Sequence, residues 1–202
     1  QGARGDIETR GWAWTAVRVT LTRGAGPRGY APPQRPTPRI IISATALAHS
    51  SQDMPAPAAV MLSSVRWPSQ PMLAGLKHLN RLEQVTARAE WSDETIEEGI
   101  LLDREDHVIS GISSNIFLVL SGRLLTPRLD RCGVRGVMRA VILSAFRERC
   151  EQRRLTIDML PEADEVFVCN SVRGVIPVVR IDHWEYEIGH TTREVQQWLA
   201  AQ

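Results

Sequence analysis

This sequence predicts an α/β (α+β) fold with a small front piece and a larger back piece. Short alternating or β-branched runs recur along the chain, and two stretches, 78–90 and 133–150, have helical spacing. A segment rich in small, polar and proline residues, "AHSSQDMPAP" (48–57), divides the chain early. The expected division is 1–48 for the front piece, 49–57 for a linker and 58–202 for the large piece.

In order, "WAWTAVRVTLTRG" (12–24) alternates apolar and polar residues and reads as a strand ending in glycine. "GAGPRGYAPPQRPTP" is a loop, and "RIIISATAL" (39–47) reads as a buried strand. "AAVMLSSVRW" (58–67) is a further strand, followed by the helix over 78–90. "GILLD", the polar turn "REDH" and "VISGISSNIFLVLSGRLLTP" (108–127) form a strand meander. "GVRGVMRAVILSAFRERC" (133–150) is helical after its opening glycines. "LTIDML", "DEVFVCN" and "GVIPVVRID" are strands, and "TTREVQQWLAAQ" is a terminal helix opened by a threonine cap.

Composition bounds the function. At 202 residues and 43% hydrophobic content the chain can bury a core, and a net charge of +1 gives no argument for nucleic acid. The apolar run "GVMRAVILSAF" is too short for a membrane span and is broken by Arg139. Cys132, Cys150 and Cys169 lie far apart, with no CxxC pair. That argues against a zinc site or a disulfide framework and fits a reducing, cytoplasmic setting.

One lysine stands among the 24 lysines and arginines: Lys77, in "AGLKHLNRLEQV". A guanidinium stays protonated, whereas a lysine amine can lose its charge, act as a base and form a Schiff base with an aldehyde. The plainer reading makes Lys77 a solvated residue near the start of an amphipathic helix, with Leu79, Leu82 and Val85 facing a core. "GAGPRG" (24–29) has the letters of a dinucleotide fingerprint, but the prolines after it forbid the required helix. What survives is a loop carrying Arg23, Arg28 and Tyr30, suited to a carboxylate or simply solvated. In "CGVRGVMR" (132–139), Gly136, Val137 and Met138 stand where an extended segment enters a helix, a place whose free N–H groups attract phosphate. "CNS" offers Asn170 and Ser171 as a second clamp, and "SGISSN" (110–115) puts a serine cluster on one strand. A lone lysine and two phosphate-type turns suit pyridoxal 5'-phosphate.

Taken together, "LAGLKHLNRLEQVTARAEW", "RGAGPRGY", "SSNIFLV", "LLTPRLDRCGVRGVMR" and "ADEVFVCNS" resemble the class IV pyridoxal-phosphate enzymes, and "KHLNRLEQ" resembles their aminodeoxychorismate lyase branch. The resemblance runs in order over roughly residues 15–200. It implies a small N-terminal α/β domain, incomplete here, and a larger C-terminal pseudo-barrel domain. It implies that Lys77 holds the cofactor and acts as the catalytic base, that the Val137 and Met138 amides with Asn170 and Ser171 bind its phosphate, and that Ser113, Ser114 and Asn115 line its ring. Arg28 and Tyr30, with Arg23 beside them, stand where relatives bind a substrate carboxylate. The implied reaction converts 4-amino-4-deoxychorismate to 4-aminobenzoate and pyruvate in folate biosynthesis, in a homodimer. A class IV aminotransferase for D- or branched-chain amino acids and a catalytically impaired homologue remain the alternatives.

Two departures stand out. The family opens with a longer front segment, including an arginine that grips the phosphate. It also has a glutamate facing the pyridine nitrogen where this chain has Ser110. A hydroxyl stabilises a protonated ring nitrogen far less than a carboxylate does. At about 1.4 kcal/mol per pKa unit, losing the ion pair costs roughly several tenfold factors in carbanion stabilisation. An elimination that makes an aromatic ring tolerates that loss better than a transamination does.

Overall fold

The computed structural model describes residues 11–48 and 54–202, in two compact units spanning 1–50 and 51–202. The linker expected at 49–57 falls partly outside the described residues. In the first unit, β1 (Trp14–Thr22) and β2 (Arg39–Leu47) pair antiparallel from Trp14↔Leu47 to Thr22↔Arg39, and the proline-rich loop joins them. The expectation that β2 is buried fails: Ile40, Ile41 and Ile42 are 65%, 58% and 50% exposed. An apolar run marks a strand, but burial needs a second layer, and among the described residues these side chains have none.

The second unit is a ten-stranded mixed sheet with helices against it. Its strands are β3 (Ala58–Trp67), β4 (Ile96–Asp103), β5 (His107–Gly111), β6 (Asn115–Leu120), β7 (Arg123–Pro127), β8 (Cys150–Arg153), β9 (Leu155–Thr156), β10 (Glu165–Asn170), β11 (Gly174–Ile181) and β12 (Trp184–Glu185). The spatial order is β8-β7-β6-β10-β11-β3-β4-β5-β9, with β12 hairpinned onto β11. The meander follows from tight turns at Asp106 and at Ser121–Gly122, all with positive φ. The sheet curls, bringing β5 and β9 against β7. Val108 and Leu155 from one end of the strand order thus share a core with Ile116, Leu118 and Leu125 near the other. This is the expected pseudo-barrel.

On the sheet lie α1 (Leu82–Arg88), α2 (Val137–Ala145) and α3 (His190–Ala200). Ile142 of α2 and Val195 of α3 close a second core over the stacked pair Phe117–Phe167, whose ring centroids are 4.9 Å apart.

Three sequence expectations about helices and strands need correction. The helix expected at 78–90 covers only 82–88, and it turns Ala87 inward beside Trp67, where a small side chain permits close approach. Leu79, Leu82 and Val85, expected to face a core, are 70%, 71% and 64% exposed. The C-terminal helix begins at His190 without a threonine side-chain cap; instead the Thr191 and Thr192 N–H groups donate to the two carboxylate oxygens of Glu165, at 3.0 and 2.7 Å. Finally, "LTIDML" is a two-residue strand followed by a 3-10 turn at Ile157–Met159.

Candidate active site

Lys77 lies in the extended segment between β3 and α1, five residues ahead of the helix, and its side chain is exposed. The segment is tied to the chain leading into α2. Gln70 N–H donates to the Arg131 carbonyl at 2.7 Å, Gly75 N–H to Gly133 at 2.9 Å, and Arg135 N–H to Gly75 at 3.0 Å. Gly75 and Val134 thereby form a parallel bridge two residues before Lys77. Glycine is needed at 75: φ is +85°, and a Cβ would lie 2.9 Å from Arg135 Cδ.

The same segment ends at the start of α2. Asn115 holds this junction from β6, its Nδ2 donating to the Val134 carbonyl at 2.8 Å and its Oδ1 accepting from Gly136 N–H at 3.1 Å. A Cβ on Gly136 would sit 2.1 Å from that Oδ1, so the contact requires glycine. Arg139, 3% exposed, pins the first turn from below: it donates to Thr126 Oγ1 (3.1 Å), the Pro127 carbonyl (2.7 Å) and Gln152 Oε1 (2.9 Å). Burial lowers the pKa of this guanidinium from its ordinary value. The Val137 and Met138 amides thus stand at a rigid helix N-terminus with no intrahelical acceptor, beside an exposed Val137 side chain.

The second expected clamp is at the same end of the sheet. Cys169 of β10 pairs with Asn115, so the turn after β10 flanks the "SSN" turn before β6. There Asn170 Oδ1 accepts from the Val172 and Arg173 N–H groups at 3.0 and 2.8 Å, folding the backbone around exposed Ser171. Lys77's segment is bridged to the chain leading into α2, and the α2 N-terminus and the Asn170–Ser171 turn lie at the same end of the interior strands β6 and β10.

Ser113 and Ser114 have another engagement, and its partner escaped the sequence reading. Glu98 on β4 is buried, and its Oε2 accepts from both hydroxyls at 2.8 Å and from Ser113 N–H at 3.3 Å. Its Oε1 accepts from Gly99 and Ile112 N–H groups at 3.2 and 3.1 Å. The serine cluster is thus a turn wrapped around a carboxylate; only the excess of hydroxyls and amides at 110–115 hinted that an acceptor was near. Ser110, 3% exposed, accepts a hydrogen bond from Trp67 Nε1 at 3.3 Å. Ile109 beside it packs near the position of Gly133, the residue bonded to Gly75. Arg23, Arg28 and Tyr30 belong to the first unit, where all three are exposed on or beside the β1–β2 loop.

The amino-transferase class IV family model matches residues 6–181. The chain belongs to this family of pyridoxal-phosphate-dependent enzymes. It is 35% identical over 188 residues to the aminodeoxychorismate lyase of Vibrio harveyi, covering 89% of this chain and 69% of that protein. The crystal structure of 4-amino-4-deoxychorismate lyase from Pseudomonas aeruginosa is 43% identical with a TM-score of 0.85, over 92% of this chain and 70% of that one. The branched-chain amino acid aminotransferase of Escherichia coli, 24% identical with a TM-score of 0.80, shares the fold over 96% of this chain and 66% of its own. The chain thus spans about two thirds of the length of these class IV proteins.

Proposed function

We propose that this chain is a class IV lyase that uses pyridoxal 5'-phosphate to convert 4-amino-4-deoxychorismate to 4-aminobenzoate and pyruvate. The observation that carries this reading is the bridge at Gly75–Val134, which ties the segment of the chain's one lysine to the anion-binding start of α2. The residues suit the cofactor: the glycine-floored turn at 136–138 leaves amides for a phosphate, and Lys77 supplies an amine for an aldehyde. When bound, the cofactor supplies an electron-withdrawing ring that acidifies the carbon bearing the substrate's nitrogen.

The Val137 and Met138 amides, with Ser171, hold the phosphate, while Asn115, Arg139 and Glu98 keep the surrounding turns in place. Lys77 Nζ removes the proton from the amine-bearing carbon as general base. The C–H electron pair forms the new C=C bond of the substrate's own ring, the bond from that ring to the enolpyruvyl oxygen breaks with its pair leaving on oxygen, and the released enolate takes the proton on carbon to become pyruvate. Arg28 and Tyr30, with Arg23, are assigned to a substrate carboxylate. The "KHLNRLEQ" run and the 43% identity to a lyase favour elimination over transamination.

A homodimer is part of the proposal. Met72, Leu76, Leu79, Leu82 and Val85 form an exposed apolar stretch around Lys77, a surface of the kind that a second copy covers. A reducing, cytoplasmic setting is supported by three free cysteines. Among the described residues no helix is long and apolar enough to cross a membrane.

The test is turnover: 4-aminobenzoate and pyruvate formed in equal amounts from 4-amino-4-deoxychorismate in the presence of pyridoxal phosphate, with none from Lys77→Ala. Equal product from both proteins sinks the proposal, as does an amino-acceptor requirement, which would assign a transaminase.

A further inference from the structure

We infer that the buried guanidinium of Arg139 is the counter-charge of the phosphate site at the start of α2, holding the cofactor's phosphate doubly ionised through its electric field and without touching it. The inference rests on the proposed cofactor reading and goes beyond it. It gives Arg139 a task in binding besides pinning the helix, and it makes the ionisation of the phosphate depend on a residue beneath the site.

The starting observation is a buried cation without an anion. Arg139 is 3% exposed, and its hydrogen bonds go to neutral acceptors: Thr126 Oγ1 at 3.1 Å, the Pro127 carbonyl at 2.7 Å and Gln152 Oε1 at 2.9 Å. Among the described residues no carboxylate bonds to it. The ionisable groups that face it are the Cys150 and Cys169 thiols and the guanidinium of Arg135. Burial pushes those thiols up to about 11 and about 12, so at neutral pH neither is negatively charged. Arg135 adds a second positive charge, and its Nε donates to the Leu129 carbonyl at 3.3 Å rather than to an acid. A buried charge is costly unless an opposite charge balances it.

The chain fixes where the balancing anion belongs. Arg139 follows directly on Val137 and Met138 in the first turn of α2, and their amides have no intrahelical acceptor. Beneath them the guanidinium is tied to β6. Thr126 Oγ1 receives Arg139 Nε and donates to the Ile116 carbonyl at 2.9 Å, and the residue before Ile116, Asn115, holds Gly136 N–H at 3.1 Å. Arg139 and the amides thus belong to one junction, and the helix start adds positive potential of the same sign. A phosphate dianion is the ligand that this sum of charge balances. A phosphate monoester has its second pKa at about 6 in water. Nearby positive charge favours the dianion and lowers that value, and the low-dielectric interior lets Arg139 act without contact.

The test loads the full chain with pyridoxal phosphate, checks occupancy by borohydride fixation on Lys77, and follows the ³¹P resonance of the bound phosphate against pH beside the free cofactor. In the unaltered chain the phosphate is expected to stay a dianion through the range in which the free cofactor's phosphate takes up its proton. Gln152→Glu keeps the acceptor for Arg139 Nη2 and supplies the carboxylate that the guanidinium lacks. It is expected to raise the phosphate's midpoint by about one unit and to weaken pyridoxal-phosphate binding about tenfold, the counterpart of that unit. Binding of pyridoxal, which has no phosphate, is expected to stay the same, and urea titration of the unloaded variant to show stability unchanged or increased. A merely structural Arg139 predicts the reverse, a firmer pin and no loss of affinity. Arg139→Gln is expected to raise the midpoint as well; if it does not fold, Gln152→Glu decides alone. A bound phosphate that titrates at or above the free cofactor's midpoint in the unaltered chain overturns the inference and leaves the cofactor reading intact. So does a Gln152→Glu variant whose phosphate titration and affinities match those of the unaltered chain. If nothing is fixed on Lys77, the cofactor reading fails and the inference falls with it.

Discussion

Removing the Glu98 carboxylate tests whether the serine turn is built around it. Five donors converge on it: three backbone N–H groups and two hydroxyls. In Glu98→Ala the Ile112 N–H keeps a second acceptor, the Gly99 carbonyl at 3.0 Å, and exposed Ser113 can turn to water, while the buried Ser114 hydroxyl and the Gly99 N–H lose this acceptor. The expected loss is about 3–5 kcal/mol, the range for breaking a buried charged network. Glu98→Gln should be milder. Its amide oxygen keeps the Gly99 and Ile112 bonds, and its NH₂ group faces two hydroxyls that can rotate to accept. Only the Ser113 N–H, already long at 3.3 Å, is stranded. That leaves a cost of about 1–2 kcal/mol. In a chain of this size, about 3–5 kcal/mol lowers Tm by roughly 6–20 °C. Urea titration measures both variants, and hydrogen exchange at Ile112 and Ser113 localises the effect. A Glu98→Ala loss below about 1 kcal/mol, or equal losses in the two variants, refutes this reasoning.

Other consequences are smaller and separable. Gly136→Ala places a methyl group against Asn115 Oδ1 and should weaken pyridoxal-phosphate binding by roughly tenfold or more, an energy of about 1.4 kcal/mol. Binding of pyridoxal without the phosphate should change little, and absorbance titrations compare the two ligands. Gly75→Ala meets both a positive φ and Arg135, so about 1–3 kcal/mol of strain should appear as slower borohydride-fixed labelling of Lys77 than in the unaltered chain. Asp103 is buried, which raises its pKa, but N–H groups of His107 and Glu105 and the His107 ring outweigh burial and hold it below its ordinary 3.8. Its contribution is therefore complete above pH 3.8 and disappears as the pH falls through the lowered value, and Asp103→Asn should flatten that part of an acid denaturation curve. Burial pushes the Cys132 and Cys169 thiols up to about 12 and Cys150 to about 11, so iodoacetamide should modify them slowly in the native protein and quickly in urea.

Much of this architecture was legible in the sequence because strands and tight turns are local. The apolar, β-branched runs at 58–67 and 164–170 and the polar turn REDH at 104–107 mark elements without knowledge of what they pack against. The phase of α1 was not legible. Leu79, Leu82 and Val85 satisfy a helical period, yet contact with Trp67 across 20 residues of chain selects the Ala87 face instead. The site divides in the same way. The residue types at Lys77, 136–138 and 170–171 suggest a chemistry only when read together and in order along the chain. Glu98 lies 12 or more residues from the serines and Trp67 lies 43 from Ser110, so only the sheet register brings them together. Asn115 was expected beside the cofactor ring, and its side-chain bonds tie it to the junction ahead of α2.

The most direct test of the central claim is an absorbance titration with pyridoxal phosphate on this chain and on Lys77→Ala in parallel, followed by borohydride and peptide mapping. A lysine-bound cofactor band in the unaltered chain alone, fixed onto Lys77, is the expected result. Two spectra that both match the free cofactor would contradict it.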